Sequence, residues 1–195
     1  MRSVKDDRRV RYTKMVLKES FIRLLEKKDI SQITIKEICE GADINRATFY
    51  AHYTDQHDLL RKIENELVDN VTSYLADYMQ NKTDINMVEI VGKILDYIKE
   101  NARLCKLLLS ERGDFNFQKR IMMLIYDKNV SDLTNTSGIP KEDAEYIYSF
   151  TISGCVGVIQ KWLHEGMTKS PRAMSEIMVG LATGLPSIYP RKKRP

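Results

Sequence analysis

The sequence predicts an all-α fold of about nine helices, and two observations carry that prediction. Apolar residues recur at the i, i+3, i+4 and i+7 spacing of one helix face along most of the 195 residues. No run of alternating apolar and polar residues between turn signals indicates a strand. Because 43% of the residues are hydrophobic, the chain can bury a sizeable core.

The predicted helices follow one another with short breaks. A basic arm opens the chain at residues 1–11, with Arg2, Lys5, Arg8, Arg9 and Arg11. The first helix spans about residues 10–28, and its apolar stripe consists of Leu17, Phe21, Leu24 and Leu25. Two short helices follow within residues 34–53. The other predicted helices cover about residues 55–80, 87–101, 104–108, 117–125, 141–166 and 171–184, and residues 132–140 form the clearest loop.

Charge is distributed unevenly along the chain. Residues 1–62 hold 14 Lys and Arg against 10 Asp and Glu, residues 63–190 hold 13 against 17, and residues 191–195 add four cations. Positive charge at both ends of an acidic body is typical of an N-terminal head that binds nucleic acid, attached to a body that does not bind nucleic acid. The alternative is that a net charge of +4 is ordinary scatter.

Several classes of protein are disfavoured. Three widely spaced cysteines, Cys39, Cys105 and Cys155, argue against a disulfide framework. The charged N-terminus is unlike a signal peptide, and no apolar run approaches the ~18 residues of a membrane span, so a cytoplasmic protein is expected. No His and Cys residues have metal spacing, and no catalytic motif is present, so we expect neither a metal, nor a cofactor, nor an enzyme.

The most informative stretch is residues 34–53, which predicts two short helices joined by a tight turn. Thr34 and Glu37 form a capping box, in which the hydroxyl accepts a backbone N–H and the carboxylate accepts another. Asp43 suits the turn, because Asp tolerates left-handed backbone. Asn45 can cap the second helix, predicted over residues 46–53.

The second helix has two chemically different faces. Phe49 and Tyr53 lie four residues apart and face inward. The opposite face carries small and hydroxyl-bearing residues flanked by a cation and an imidazole: Ala47, Thr48, Tyr50 and Ala51 between Arg46 and His52. Small residues allow close approach to the DNA major groove, while hydroxyl and basic groups bind phosphates and base edges. The stretch therefore predicts a helix-turn-helix.

Residues 33–38, 42–53 and 58–60 resemble the DNA-binding head of the TetR family of transcriptional regulators, over about residues 9–63. The resemblance implies phosphate contacts for Thr34, Asn45, Thr48, Tyr50 and His52, and base contacts for Lys36, Arg46, Ala47 and Ala51. The sequence departs from the family's usual residues at two positions. Asp43 stands where Gly is usual, and Gln56 stands where a phosphate-binding Lys is usual.

The resemblance further implies a helical body. It predicts a DNA-binding domain at residues 1–62, an effector-binding and dimerisation domain at residues 63–190 and a basic tail at residues 191–195. Gly154 and Gly157 lie inside a predicted helix, where Gly costs about 1 kcal/mol relative to Ala, so they need a packing reason. We expect pairing with a second subunit, through Gly154, Gly157, Val158, Met174, Ile177, Met178 and Leu181; close packing within one subunit is the alternative.

The body is rich in Met and Tyr, which suit an adaptable pocket with polar handles. The candidate ligand-binding residues are Tyr74, Tyr78, Tyr97, Met122, Tyr126, Phe150 and Trp162. For each of them an ordinary place in the core is an equally good or better interpretation. The resemblance thus implies a homodimeric, ligand-responsive regulator, more often a repressor, that binds a palindromic double-stranded DNA operator and an unknown small-molecule effector. An adaptor that binds another regulator is the main alternative, and a small-molecule enzyme ranks last.

Overall fold

The computed structural model describes residues 4–80, 86–110 and 115–188, and it describes the side chains there except at 4–7, 77–78, 115 and 185–188. These ranges contain ten α-helices and no strand, which confirms the predicted all-α fold. The helices are α1 (Val4–Leu25), α2 (Ile35–Ala42), α3 (Arg46–Tyr50), α4 (Gln56–Met79), α5 (Met87–Glu100), α6 (Ala102–Leu108), α7 (Phe115–Met123), α8 (Tyr126–Asn135), α9 (Lys141–His164) and α10 (Pro171–Ile188), with a 3-10 turn at Ile30–Gln32.

The chain divides into two compact units, Met1–Leu67 and Val68–Pro195, and α4 contributes residues to both. The predicted domain bounds at residues 62 and 190 remain predictions. The basic tail lies outside the described residues, as do Arg2 and the side chain of Lys5 in the predicted basic arm.

The first unit has one core to which each of its helices contributes. Fully buried side chains come from all four: Leu17 and Phe21 of α1, Ile38 of α2, Phe49 of α3 and Leu59 of α4. The predicted stripe of α1 is confirmed at Leu17 and Phe21, whereas Leu24 and Leu25 are only half-buried. Lys18 of α1 also pairs with Glu66 of α4, at 3.1 Å between Nζ and Oε2.

Helices α1 and α2 approach closely at Gly41. A Cβ atom at this position would clash with the hydroxyl of Ser20, which is buried and donates a hydrogen bond to the Ile38 carbonyl at 2.9 Å. Arg23 donates to the Gly41 carbonyl at 2.9 Å. Since the backbone of α2 is bonded to α1 at two points, its orientation in the unit is well defined.

The second unit is built around two contacts. Helix α5 packs along α10, with Ile90, Leu95 and Ile98 buried on one side and Met174, Ser175 and Met178 on the other. Helix α9 contacts α6, α8 and α10. Its junction with α8 buries the cluster of Val130, Leu133, Ile139, Ala144 and Tyr148.

Several helix ends differ from the prediction, and α1 begins at Val4 rather than near residue 10. The predicted loop at residues 132–140 is helical as far as Asn135, because Val130 and Leu133 anchor α8 in the core, and the sequence did not predict this helix. Helix α9 ends at His164, earlier than predicted. Gly166 adopts φ 76°, and the amides of Gly166 and Met167 donate to the Leu163 and Trp162 carbonyls. These two bonds form a Schellman motif, which terminates the helix.

Candidate nucleic-acid interface

The capping box at the start of α2 is present as predicted. The Thr34 hydroxyl accepts from the Glu37 amide at 3.3 Å, and the Glu37 carboxylate accepts from the Thr34 amide at 2.9 Å. Lys28 donates to the same carboxylate at 2.6 Å. The hydrogen bond from Lys28, followed by the bonds from Thr34, lowers the pKa of Glu37 from its ordinary 4.5 to about 2. The start of α2 is therefore held by an ionised carboxylate.

The turn between α2 and α3 also follows the prediction. Asp43 adopts left-handed backbone, with φ 53° and ψ 44°, and the Ile44 amide donates to the Cys39 carbonyl at 3.0 Å. The Asn45 side-chain oxygen accepts from the Thr48 amide at 2.7 Å and so caps α3. Each of these local features needs only neighbouring residues, which explains why the sequence predicts them.

Helix α3 is shorter than the predicted helix at residues 46–53. It ends at Tyr50, and the amides of His52 and Tyr53 both donate to the Phe49 carbonyl at 2.9 Å. That bonding pattern closes the helix with a turn. Residues Ala51 and His52 consequently lie in this turn rather than on the helix.

The two faces of this segment are placed as predicted. Phe49 is fully buried and Tyr53 is 6% exposed, so both belong to the core. Arg46, Ala47 and Ala51 are exposed, Tyr50 is 56% exposed, and Thr48 and His52 are half-buried. The ring of Tyr50 packs edge-on against Phe49 at 5.7 Å between centroids. Tyr50 therefore presents its hydroxyl from a ring that the core supports.

A groove of about 580 Å³ separates α2 from α3. It is lined by Lys36, Cys39, Glu40, Asp43, Ile44, Asn45 and Arg46. The exposed Lys36 ammonium lies 3.7 Å from the Glu40 carboxylate. The two cations predicted to contact bases thus border the same groove, one on each helix.

A buried carboxylate for which the sequence predicted no role, Asp58 of α4, binds the loop between α3 and α4. Asp58 is 7% exposed and accepts from the Thr54 amide at 3.1 Å, from Arg61 at 2.9 Å and from Lys62 at 3.0 Å. Lys62 also donates to the His52 carbonyl at 2.8 Å and lies over the Tyr53 ring.

The hydrogen bond from Lys62 is the main reason that the pKa of Asp58 lies below its ordinary value. An acidic residue at the third position of α4 and a Lys four residues later were the available sequence signal. Gln56, in the position of the usual phosphate-binding Lys, is the first residue of α4 and is half-buried.

The described members of the predicted ligand-binding set make several separate contacts in the second unit. Tyr74 and Tyr97 form one ring pair at 6.2 Å, and Tyr126 packs edge-on against Tyr148, whose hydroxyl donates to the Met122 carbonyl. Phe150 is 68% exposed, and Trp162 is buried with its indole N–H bonded to the Lys169 carbonyl. The side chain of Tyr78 lies outside the described residues.

A cleft of about 760 Å³ lies between α6 and the C-terminal part of α9. Its lining consists of Lys106, Leu109, Ser110, Gly157, Gln160, Lys161, Leu163, His164 and Glu165. None of the described residues of the predicted pocket lines it, so that pocket remains a prediction.

The predicted dimerisation residues divide between the surface and the core. Gly154, Gly157, Ile177 and Leu181 are exposed, and Val158 is half-buried. In contrast, Met174 and Met178 are both 6% exposed. These two side chains face the core of their own unit, which restricts the candidate dimer face to the exposed residues.

The described part of the chain contains neither a candidate metal cluster nor a helix that could span a membrane. Among these residues no group of three or more His, Cys, Asp and Glu could hold a metal ion. None of the described helices combines the length and the apolar composition needed to cross a membrane.

Comparison with known proteins identifies the family. A TetR family model described as "Transcriptional regulator C-terminal region" matches residues 85–184, which is half of the chain. An uncharacterised HTH-type transcriptional regulator of Bacillus subtilis (strain 168), YxbF, is 23% identical over 169 residues. The match covers 82% of this chain but only 42% of that protein, so the chain spans less than half the length of this relative.

Two solved structures share the fold. A TetR transcriptional regulator from Streptococcus agalactiae 2603V superimposes with a TM-score of 0.62 at 22% identity, over 93% of this chain and 99% of that one. A putative TetR-family regulator from Syntrophomonas wolfei str. Goettingen gives a TM-score of 0.65 at 14% identity, over 91% and 96%. The family and these neighbours are transcriptional regulators rather than enzymes. The chain belongs to the TetR family of transcriptional regulators.

Proposed function

We propose that the protein is a ligand-responsive repressor that binds a palindromic operator as a homodimer. In this proposal residues 1–62 bind DNA, and residues 63–190 bind the effector and dimerise. The observation that carries it is the exposed surface of α2 and α3. There a capped pair of helices presents hydroxyl, amide and cationic groups over a buried aromatic core.

In this proposal nine residues of this surface contact DNA. Lys36, Arg46, Ala47 and Ala51 face base edges, and Thr34, Asn45, Thr48, Tyr50 and His52 bind phosphates. Asn45 can serve as both cap and ligand, because its oxygen accepts the Thr48 amide while its NH₂ group remains a donor. Phosphate contacts supply most of the affinity and make it fall with salt.

The dimer is proposed to form through the exposed faces of α9 and α10. Four glycines stand there, Gly154, Gly157, Gly180 and Gly184, and a Cβ atom at any of them would meet no atom within 4 Å. Large apolar side chains accompany them, with Tyr146 71% and Leu181 62% exposed. A face of this kind allows helices of a second copy to approach closely and to cover apolar surface.

An effector in the body would shift the dimer away from the spacing that the operator requires. Two recognition helices should lie about 34–36 Å apart, one turn of DNA. Coupling between effector and operator of about 1–3 kcal/mol gives a change in affinity of about 5–150-fold, so tight control needs the upper end of this range.

In vitro selection of operators from random duplexes tests the proposal. It should recover an inverted repeat bound by two subunits, and sedimentation at micromolar concentration should show a dimer. Recovery of no preferred sequence would support the alternative of an adaptor that binds another regulator. A clean monomer would rule out the palindrome.

A further inference from the structure

We propose that Glu40 is a specificity-determining residue, which together with Lys36 contacts one G·C base pair in each operator half-site. The inference rests on the proposed DNA-binding function and extends it, since neither the resemblance nor the comparisons assign Glu40 a role. The groove between α2 and α3 provides the geometry that carries it.

Glu40 and Lys36 form a donor and acceptor pair at the mouth of the groove. They lie one helical turn apart on α2, with the Lys36 ammonium 3.7 Å from a Glu40 carboxylate oxygen. Their side chains are 63% and 64% exposed, so both ends are accessible. Arg46, which begins α3, lines the same groove. A base pair that contacts Arg46 in this groove therefore also lies near the side chains of Lys36 and Glu40.

The chemistry of the pair matches the major-groove edge of G·C. That edge presents the guanine acceptors N7 and O6 beside the amino donor N4 of cytosine. A Lys donates to guanine, and a Glu accepts from the cytosine amino group. The Lys36 ammonium can thus donate to guanine while the neighbouring Glu40 carboxylate accepts from the cytosine of the same base pair.

Charge in the groove favours selectivity over affinity. The two cations, Lys36 and Arg46, are balanced by two carboxylates, Glu40 and Asp43. Burial raises the pKa of the Cys39 thiol. The charge of Arg46 lowers this pKa and the charge of Glu40 raises it further, so both charges act on the same sulfur. A carboxylate in this place repels the phosphates of any DNA. At the operator, the cytosine amino group offsets that repulsion.

The test compares Glu40→Gln with the wild-type protein on three duplexes: the selected operator, the operator with the G·C pair changed to A·T, and a scrambled sequence. Gln keeps the size of the side chain and removes its charge. For the variant we expect scrambled DNA to bind about threefold more tightly and the preference for G·C over A·T to fall about tenfold, because a correct contact contributes roughly that factor.

Glu19→Gln is the matched control. Glu19 pairs with Arg23 at the same 3.7 Å and the same four-residue spacing, but on α1, and it does not line the groove. The affinity of the Glu19→Gln variant for each of the three duplexes should equal that of the wild-type protein. Thermal unfolding checks that both variants are folded.

Three outcomes would overturn the inference. If Glu40→Gln changes its affinity for all three duplexes by the same factor, the carboxylate sets only the charge of the surface. If the variant binds like the wild type, Glu40 has no role. If the wild-type protein prefers no sequence at all, the proposed function fails as well, which distinguishes that failure from the other two.

Discussion

The α2–α3 surface and the α9–α10 surface are both exposed, yet they carry opposite chemistry. The first presents Lys36, Arg46, Tyr50 and a set of hydroxyl and amide groups. The second presents glycines and large apolar side chains such as Phe150 and Leu181. Charge and hydrogen-bond donors suit phosphates and base edges, whereas a smooth apolar face suits another protein surface. The contrast favours DNA at the first surface and a second copy of the chain at the other.

The two surfaces also differ in how they are supported. Helix α3 has five residues and buries one of them, Phe49, so caps and the bonds around Asp58 and Lys62 hold it in place. Helix α9 has 24 residues and packs against three other helices. Side-chain hydrogen bonds should therefore matter more for the first surface, and apolar contact for the second.

Phenylalanine to alanine changes at one position in each region should have the largest and most unequal effects. Phe49→Ala removes a fully buried ring and should lower the free energy of unfolding of the first unit by about 3–5 kcal/mol. Phe150→Ala changes a ring of the second unit that is exposed in the single chain, and it should alter the stability of the first unit by about 0.5 kcal/mol or less. Urea unfolding with hydrogen exchange on residues 1–67 measures the stability of the first unit in both variants. Similar losses in the two variants would contradict the expected difference between the two regions.

A charge on the apolar face should break the proposed dimer. Leu181→Glu places a carboxylate where a second copy would cover it, so the dimer dissociation constant should rise on the order of a hundredfold. Sedimentation equilibrium gives this constant. Thr183→Glu is the control, because it adds the same charge to an exposed position on another side of α10. A dimer that survives Leu181→Glu would place the interface elsewhere.

Removing the carboxylate of Asp58 should loosen the α3 surface without reaching the body. Asp58→Asn leaves Lys62 without its ionic partner and should cost the first unit about 2 kcal/mol. The pKa of Asp58 is lowered in the folded state. Its stabilisation is thus complete above the unfolded pKa and is lost as the pH falls through the folded value. Urea unfolding at neutral pH should show this loss of stability. An unchanged free energy of unfolding would show that the Asp58 carboxylate does not stabilise the first unit.

The smallest effect concerns the capping box. The pKa of Glu37 falls from 4.5 to about 2 on folding, so its contribution is complete above pH 4.5 and disappears as the pH drops toward 2. Glu37→Gln retains an acceptor for the Thr34 amide but cannot ionise, so the stability of the first unit should fall less steeply over that interval. Parallel pH curves for variant and wild type would show that Glu37 does not titrate as described.

Features that depend on neighbouring residues were predictable from the sequence. The capping box of Thr34 and Glu37, the left-handed Asp43 and the cap by Asn45 each involve residues within three positions of one another. The inward faces of Phe49 and Tyr53 follow from helical periodicity alone. The resemblance added the family, which the comparisons confirm.

Features that depend on tertiary packing were not predictable. Helix α8 forms because Val130 and Leu133 anchor it to α9, although the sequence after it contains turn residues. Helix α10 is apolar on two sides, and only its packing on α5 shows that Met174 and Met178 face inward while Leu181 does not. The contact of Lys62 with the His52 carbonyl joins two elements whose distance the sequence does not set.

Recognition of a DNA sequence by the α2–α3 surface is tested most directly by Arg46→Ala. Fluorescence anisotropy should measure the affinity of wild type and variant for the selected operator and for a scrambled duplex at one salt concentration. The variant's operator affinity should fall by about 1–3 kcal/mol, while its affinity for scrambled DNA should fall much less. An equal loss on both duplexes would make Arg46 a phosphate contact only, and an unchanged operator affinity would show that Arg46 does not contact the operator.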